Sequence, residues 1–272
     1  MARVRVGISG WSYPRWRGDF YPSGLVQRRE LEYAAERFGS VEINGSFYSL
    51  QRPSTYREWR DKTPDDFVFA VKGGRFITHM KRLKEVEAPL ANFLASGVLA
   101  LEKKLGPILW QLPASFGFDE ERFASFFSLL PRTTQEAAQL AERHDDKVPT
   151  DRALTTTEVK APLTHAVEAR HDSFTSKEAI ALFRKHDVAL VVSDAAGEWP
   201  LIEEKTSSFR YVRLHGHTEL YASGYSDKAL DGWARKIRGW SGNGQDVYVY
   251  FDNDALGHAP YDALKLWDRL EK

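Results

Sequence analysis

Charged residues recur late in segments of this 272-residue chain that otherwise read as apolar β-strands: Glu42, Lys72, Glu168, Arg170, Arg213 and Asp252. An isolated charge in such a segment is costly, so each must meet a partner or a ligand. Side chains along a strand alternate faces, and the alternation sorts these residues. Val41 and Ile43 share one face, Glu42 and Asn44 the other. Val68, Ala70 and Lys72 fall in one phase, as do Ala166, Glu168 and Arg170, then Tyr211, Arg213, His215 and His217, then Tyr248, Tyr250 and Asp252. Gln111, and Ser193 or Asp194, extend the set. Glu42 and Glu168 suit general acid–base work, Arg170 and Arg213 suit an anionic group, and Lys72 or His215 can assist. The competing reading is a salt-bridge network that only plugs a barrel.

Other clusters admit two readings each. Lys72, beside Val68 and Ala70, suits a partly desolvated amine able to act as a base or a Schiff-base nucleophile; paired with Glu42 it is charged and structural. The run Lys72, Arg75, His79, Lys81, Arg82 and Lys84 can bind phosphate or carboxylate, or be a solvated surface. His215-Gly216-His217 invites a metal, but no His-x-His marks the first strand, and the expectation is no metal. The loop GWSYPRWRGDFYP carries Trp11, Tyr13, Trp16, Phe20 and Tyr21, either a platform for a flat ligand or a packed lid.

The elements that must carry these residues follow from hydrophobic period and punctuation. Strands are expected over Val4–Ser9, Val41–Phe47, Phe67–Lys72, Ile108–Leu112, Leu163–Arg170, Val188–Asp194, Arg210–His215 and Val247–Asn253. Helices are expected over Leu31–Phe38, Pro53–Lys62, Pro89–Leu101, Asp119–Leu130, Gln135–Arg143, Lys177–His186, Asp227–Trp240 and Pro260–Leu270. The segment AAGEWPLIEEKTSS is too broken for a full helix. Alternation of this kind predicts an α/β fold, a TIM-type (β/α)8 barrel with one degenerate helical connection. The chain is expected to be one barrel domain over 1–272, with a polar excursion at about 132–161. The late ends of the strands form the C-terminal mouth, where barrel enzymes keep their chemistry.

Composition excludes several classes. There is no cysteine, so thiolate metal sites, disulfides and a cysteine nucleophile are ruled out. Lys plus Arg equals Asp plus Glu at 38 each, which disfavours a protein that grips nucleic acid by bulk charge. No dinucleotide fingerprint surrounds Gly73 or Gly242, and no cofactor is expected. The start MARVRVGISGW has no long apolar stretch, and no segment is long enough for a membrane span, so a cytoplasmic location is expected.

The stretches GISGWSYPRWRGDFYP, VEINGSFYSL, FVFAVKGGRFITHMKRL, LGPILWQLPASF, VEARHDSF, YVRLHGHTELYASGYSD and VYVYFDNDALGHAPYDAL together resemble the family known as domain of unknown function 72. The resemblance runs nearly end to end. It implies a TIM-type barrel and no particular reaction. It places Trp11, Ser12, Tyr13, Glu42, Asn44, Phe47, Tyr48, Lys72, His79, Gln111, Glu168, Arg170, His171, Arg213, His215, Gly216, Asn253 and Asp254 on recurring motifs of that family. Gly45-Ser46, Ser49 and Asp172 depart from the family's usual pattern.

The resulting expectation is an enzyme, a hydrolase or lyase, acting at the mouth on a small polar or anionic molecule. Glu42, Lys72, Glu168 and His215 are its candidate catalytic groups. Trp11, Tyr13, Asn44, Tyr48, His79, Gln111, Arg170, Arg213, Tyr250, Asp252 and Asn253 are its candidate ligand-binding groups. The alternatives are a nucleic-acid-binding or nuclease-like barrel and a non-catalytic ligand-binding protein.

Overall fold

A computed structural model describes residues 2–271. Its strand segments are β1 (Val4–Ser9), β2 (Ser40–Ile43), β3 (Val68–Lys72), β4 (Leu105–Gln111), β5 (His165–Glu168), β6 (Ala189–Leu190), β7 (Val192–Asp194), β8 (Phe209–Leu214) and β9 (Asp246–Phe251). All are parallel, in the order β6-β5-β4-β3-β2-β1-β9-β8-β7. Only Val191 separates β6 from β7. β6 pairs with β5 and β7 with β8, so the two segments are one interrupted strand that brings the sheet round on itself. The Val191 amide still donates to Val167 O at 3.0 Å. The break has a local cause: the Leu190 amide donates to the Thr206 hydroxyl at 2.8 Å rather than to β8. The result is a TIM-type α/β barrel.

Strand phase separates two cores as the alternation predicts. Val41, Ile43, Phe69, Val71, Trp110, Val167, Val249 and Phe251 pack outward under the helices. Ala70, Leu109, Ala166, Ala189, Val191, Phe209, Tyr211 and Tyr250 fill the interior. Full burial of one such large side chain stabilises the fold by about 1.5–3 kcal/mol.

Several boundaries differ from expectation for identifiable reasons. The second strand ends at Ile43 instead of Phe47, and Gly45–Tyr48 forms a helical turn. Ser46 drives the turn by donating to Lys72 O at 2.6 Å, which folds Phe47 and Tyr48 over the end of β3. The helix expected to reach Leu101 covers Glu87–Ala95. Gly97 then takes φ +116°, and a Cβ there would lie 2.5 Å from Pro53 Cα, so only glycine allows this crossing. Between β7 and β8 there is no helix among the described residues, as the broken composition predicts. Arg210 holds that segment instead, donating to Glu203 O at 2.7 Å and Glu204 O at 3.0 Å. In the polar excursion the helix Thr134–Ala141 is N-capped by Thr133, and Asn92 Nδ2 donates to Asp145 at 2.9 Å. No helix among the described residues is long and apolar enough to cross a membrane.

Candidate active site at the barrel mouth

Directly above the apolar interior lies a layer of buried charge centred on Arg213. Its guanidinium has no solvent exposure. Nε and Nη2 donate to the two oxygens of Glu42 at 3.1 and 2.8 Å. Nη1 donates to Glu168 at 2.8 Å, and Nη2 also reaches Asp252 at 2.9 Å and Ser9 Oγ at 3.0 Å. Tyr211 OH and Ser9 Oγ complete Glu42 at 2.6 and 2.5 Å. Glu168 further accepts from His215 Nε2 at 2.6 Å, Ser193 Oγ at 3.1 Å and Arg170 Nη2 at 3.3 Å. His215 Nδ1 lies 3.0 Å from Asp252 but outside hydrogen-bonding geometry.

Electrostatics follow from this packing. Burial alone would raise the pKa of Glu168, yet Arg170, Arg213 and His215 outweigh it and hold the group well below the usual carboxylate range. Asp252 is lowered in the same way against its burial, chiefly by Arg213. Arg213 itself is held well above its usual value: its burial is overcome by Glu168, Glu42 and Asp252. Removing one member of such a network strands the rest, which costs about 3–5 kcal/mol.

Above this layer opens a cavity of about 510 Å³. Its polar wall includes Lys72, Arg75, His79, Gln111, Arg170 and Asp252. Its aromatic wall is Tyr13, Phe47, Tyr48 and Tyr221, with Asn44 between. Lys72 is only 7% exposed, and among the described residues its amine has no hydrogen-bond partner and no carboxylate in salt-bridge contact. The nitrogen sits 4.5 Å from the Phe47 ring centroid. Burial first, then Arg213, lowers its pKa to about 8, against the pull of Glu42, Asp252 and Glu168. His79 is also lowered, by burial and then by Lys72, Arg170, Arg75 and Arg82, so the rim is strongly cationic. The Arg170 guanidinium stacks 4.2 Å from the Trp199 ring centroid, and its Nε is buried without a partner. Asn44 Oδ1 is likewise buried and unpartnered.

The candidate residues therefore divide by depth. Tyr13, Asn44, Tyr48, Lys72, His79, Gln111, Arg170 and Asp252 line the cavity. Glu42, Glu168, Arg213 and His215 lie sealed beneath it, all at 0% exposure, and so are not a hydrated cluster. Tyr250 is one layer lower again, sharing a 2.6 Å hydrogen bond with Ser40. Asn253 turns away and donates to Asp262 at 2.9 Å and Ser223 O at 3.1 Å. Trp11 faces a neighbouring cavity of about 740 Å³, which meets the mouth at Tyr13 and Asn44. In the aromatic loop, Trp16, Phe20 and Tyr21 are buried against one another as a seal.

The basic run also splits. A π-helical turn at Phe76–Met80 carries His79 towards the cavity. Lys81 pairs with Glu85 at 3.2 Å, and Arg82 donates to Ser115 O at 3.0 Å and covers Phe116. His217 is exposed beside Tyr225, away from His215. Among the described residues no three His, Asp or Glu side chains converge as a metal site. Ser9, Trp199 and Tyr221 belong to the site without having been singled out. Ser9 shares the inward phase at the end of its strand and was findable; the other two stand on irregular loops, where periodicity carries no signal.

Fold and site together define a TIM-type barrel with a cationic cavity at the C-terminal mouth, over a sealed ionic layer. The chain belongs to the DUF72 family, described as a protein family of unknown function, whose model matches residues 5–272. It is 32% identical to UPF0759 protein YecE of Escherichia coli (strain K12) over 42% of this chain, and spans 39% of that relative's length. UPF0759 protein YunF of Bacillus subtilis (strain 168) is 22% identical, with 98% of this chain and 95% of that one aligned. A DUF72 family crystal structure from Thermotoga maritima superposes with a TM-score of 0.77 at 27% identity, covering 99% of this chain and 100% of that one. One from Enterococcus faecalis V583 does so at 0.75 and 19% identity, covering 99% of this chain and 96% of that one, and speaks for the fold alone.

Proposed function

We propose that this protein is an enzyme acting on a small anionic molecule at the barrel mouth, with the Lys72 amine as its base. One observation carries the reading: an unpartnered, nearly buried amine faces a cavity whose rim holds Arg75, His79 and Arg170. The guanidinium groups of Arg170, whose side chain is 13% exposed, and Arg75 bind the anionic group. Lys72 takes a proton from the bound molecule. With a pKa of about 8, roughly one amine in ten is neutral at pH 7, enough for a base working near that pH. Asp252, with a side chain 18% exposed, is the carboxylate of the network that reaches the cavity; it stays ionised there, and the proton taken up by Lys72 is returned from the Lys72 ammonium itself. Glu42 and Glu168 act as positioning residues through Arg213, and His215 through Glu168 and Asp252. Such chemistry suits a hydrolase or lyase working without a redox cofactor.

Thermal unfolding with inorganic phosphate and with pyruvate tests the binding half. A ligand at 100 times its Kd stabilises the folded state by about 2.7 kcal/mol. The parent protein is expected to show saturable stabilisation that Arg170→Gln abolishes. If neither anion stabilises the parent at any concentration, the mouth is not an anion site.

A further inference from the structure

The mouth adjoins a second space at its aromatic wall. Phe47, Tyr48, Arg75 and Met80 line the mouth and also line this second groove of about 570 Å³. Phe47, Ile77 and Phe93 are buried in the floor of that groove. Its rim is apolar and open: Tyr48 is 67% exposed, Leu50 40%, Phe76 43% and Met80 66%. Scattered exposed apolar residues need no explanation, whereas a concave cluster of them marks a binding surface. The backbone beneath the rim is unusual as well. Phe76–Met80 is a π-helical turn, a geometry that concentrates at functional sites. Just beyond it Arg82, Leu83 and Glu85 hold φ of 48°, 63° and 51° without being glycine, conformations that persist only where the surroundings impose them.

We infer that the groove holds the apolar body of the same ligand whose anionic head occupies the mouth, so that the ligand is an amphiphilic anion. The class is an alkyl or aryl carboxylate or phosphate. This rests on the anion-binding reading above. Continuity favours one ligand over a separate protein partner. Phe47 and Tyr48, packed edge to face at 5.1 Å, form the wall common to both spaces. Arg75 stands at the junction, its guanidinium 5.8 Å from the Tyr48 ring centroid. A head group held by Arg75 and Arg170 leaves its next atoms beside Tyr48 and Met80, which line both spaces. Lys81, Glu85, Asp145 and Lys147 also line the groove and make part of its wall polar, which limits the extent of the apolar body. Pockets of this size with mostly apolar walls and a few charged groups are the usual form of a small-molecule site.

Calorimetric titration with n-alkyl phosphates from methyl to octyl, and with n-alkanoates from acetate to octanoate, tests the inference. Each methylene that enters the groove is expected to tighten binding about fourfold until the groove is full. The doubly substituted Leu50→Ser/Phe76→Ser protein alters only open rim positions. It is expected to bind methyl phosphate and acetate as the parent does, and to bind the octyl members at least tenfold more weakly than the parent. A series in which short anions bind and affinity does not change with chain length would overturn the inference while leaving the anion site intact. So would a chain-length gain that the doubly substituted protein keeps in full. Failure of every member to bind would overturn both readings.

Discussion

Replacing Arg213 with methionine is expected to destabilise the fold by about 3–5 kcal/mol. Methionine keeps much of the volume but removes the donors to Glu42, Glu168, Asp252 and Ser9. Glu42 and Glu168 are then left with no solvent exposure and without their shared cation. The remaining donors do not replace it. Tyr211 and Ser9 offer Glu42 only neutral hydroxyls, whereas Glu168 keeps His215 at 2.6 Å, Ser193 at 3.1 Å and Arg170 at 3.3 Å, so the uncompensated charge falls chiefly on Glu42. For a domain of this size each kcal/mol corresponds to about 2–4 °C, so Tm falls by roughly 6–20 °C. The loss depends on pH. Glu168 and Asp252 have folded-state pKa values below their unfolded ones. Their stabilisation is therefore fully present above the unfolded value, near pH 4, and is lost as pH falls through the folded values. The variant lacks the cation that produces much of this, so its deficit is largest at pH 7 and narrows below about pH 4. Urea unfolding followed by tryptophan fluorescence at both pH values measures it. Arg184→Met is the control: Arg184 and Glu204 have side chains 52% and 56% exposed, and breaking that pair should cost under about 1 kcal/mol. A deficit below about 1 kcal/mol for Arg213→Met at pH 7, or one that grows on acidification, would refute the reasoning.

Two further expectations concern groups held against their preferred charge. Lys72→Met should abolish turnover yet stabilise the protein at pH 7. The lowered folded pKa of about 8 means that the charged amine costs folding energy below that value; the cost disappears as pH rises to the unfolded value near 10.4, so the gain of the variant should vanish there. Unfolding curves at pH 7 and 10.5 check this, and a variant less stable than the parent at pH 7 would contradict it. Asp254 shows the mirror case. Burial, with Asp252 adding, raises it to about 7 even though Trp16 Nε1 donates to it at 2.5 Å. An acid with a raised folded pKa loses stability as pH climbs from near 4 through 7, so Asp254→Asn should match the parent at pH 4 and exceed it at pH 8.

The barrel was legible because its signals are local and repeated. Alternation in VEIN, FAVK and VYVYF fixes which side chains meet helices, and the two cores follow that phase residue by residue. The charged set was legible for the same reason, since Glu42, Glu168, Arg213 and Asp252 do meet in one layer. Depth was not legible. Phase says that Tyr250 and Asp252 point inward, but strand stagger decides that Tyr250 ends against Ser40 while Asp252 reaches the cavity. Nor does periodicity show where a strand stops. The turn at Gly45–Tyr48 depends on Ser46 bonding to Lys72 O, a contact between residues 26 positions apart. The loops that bring Trp199 onto Arg170 and Tyr221 into the wall have no period to read.

The two layers of the mouth depend on each other. In the sealed layer the carboxylates Glu42, Glu168 and Asp252 surround one guanidinium, and none of them is drawn off to neutralise Lys72 by direct contact. At Lys72 the repulsion from Arg213 and the attraction of those carboxylates oppose one another, and burial decides the direction of the shift. A stronger acidic surplus below would hold the amine fully charged; a stronger basic one would repel it and unbalance the layer. Tight pairing beneath the cavity is thus what leaves the Lys72 amine without a direct carboxylate contact. A plug and a site are not competing accounts of these residues: the plug supplies a rigid floor of mutually paired charges, and the side chains standing on it remain free to meet a ligand.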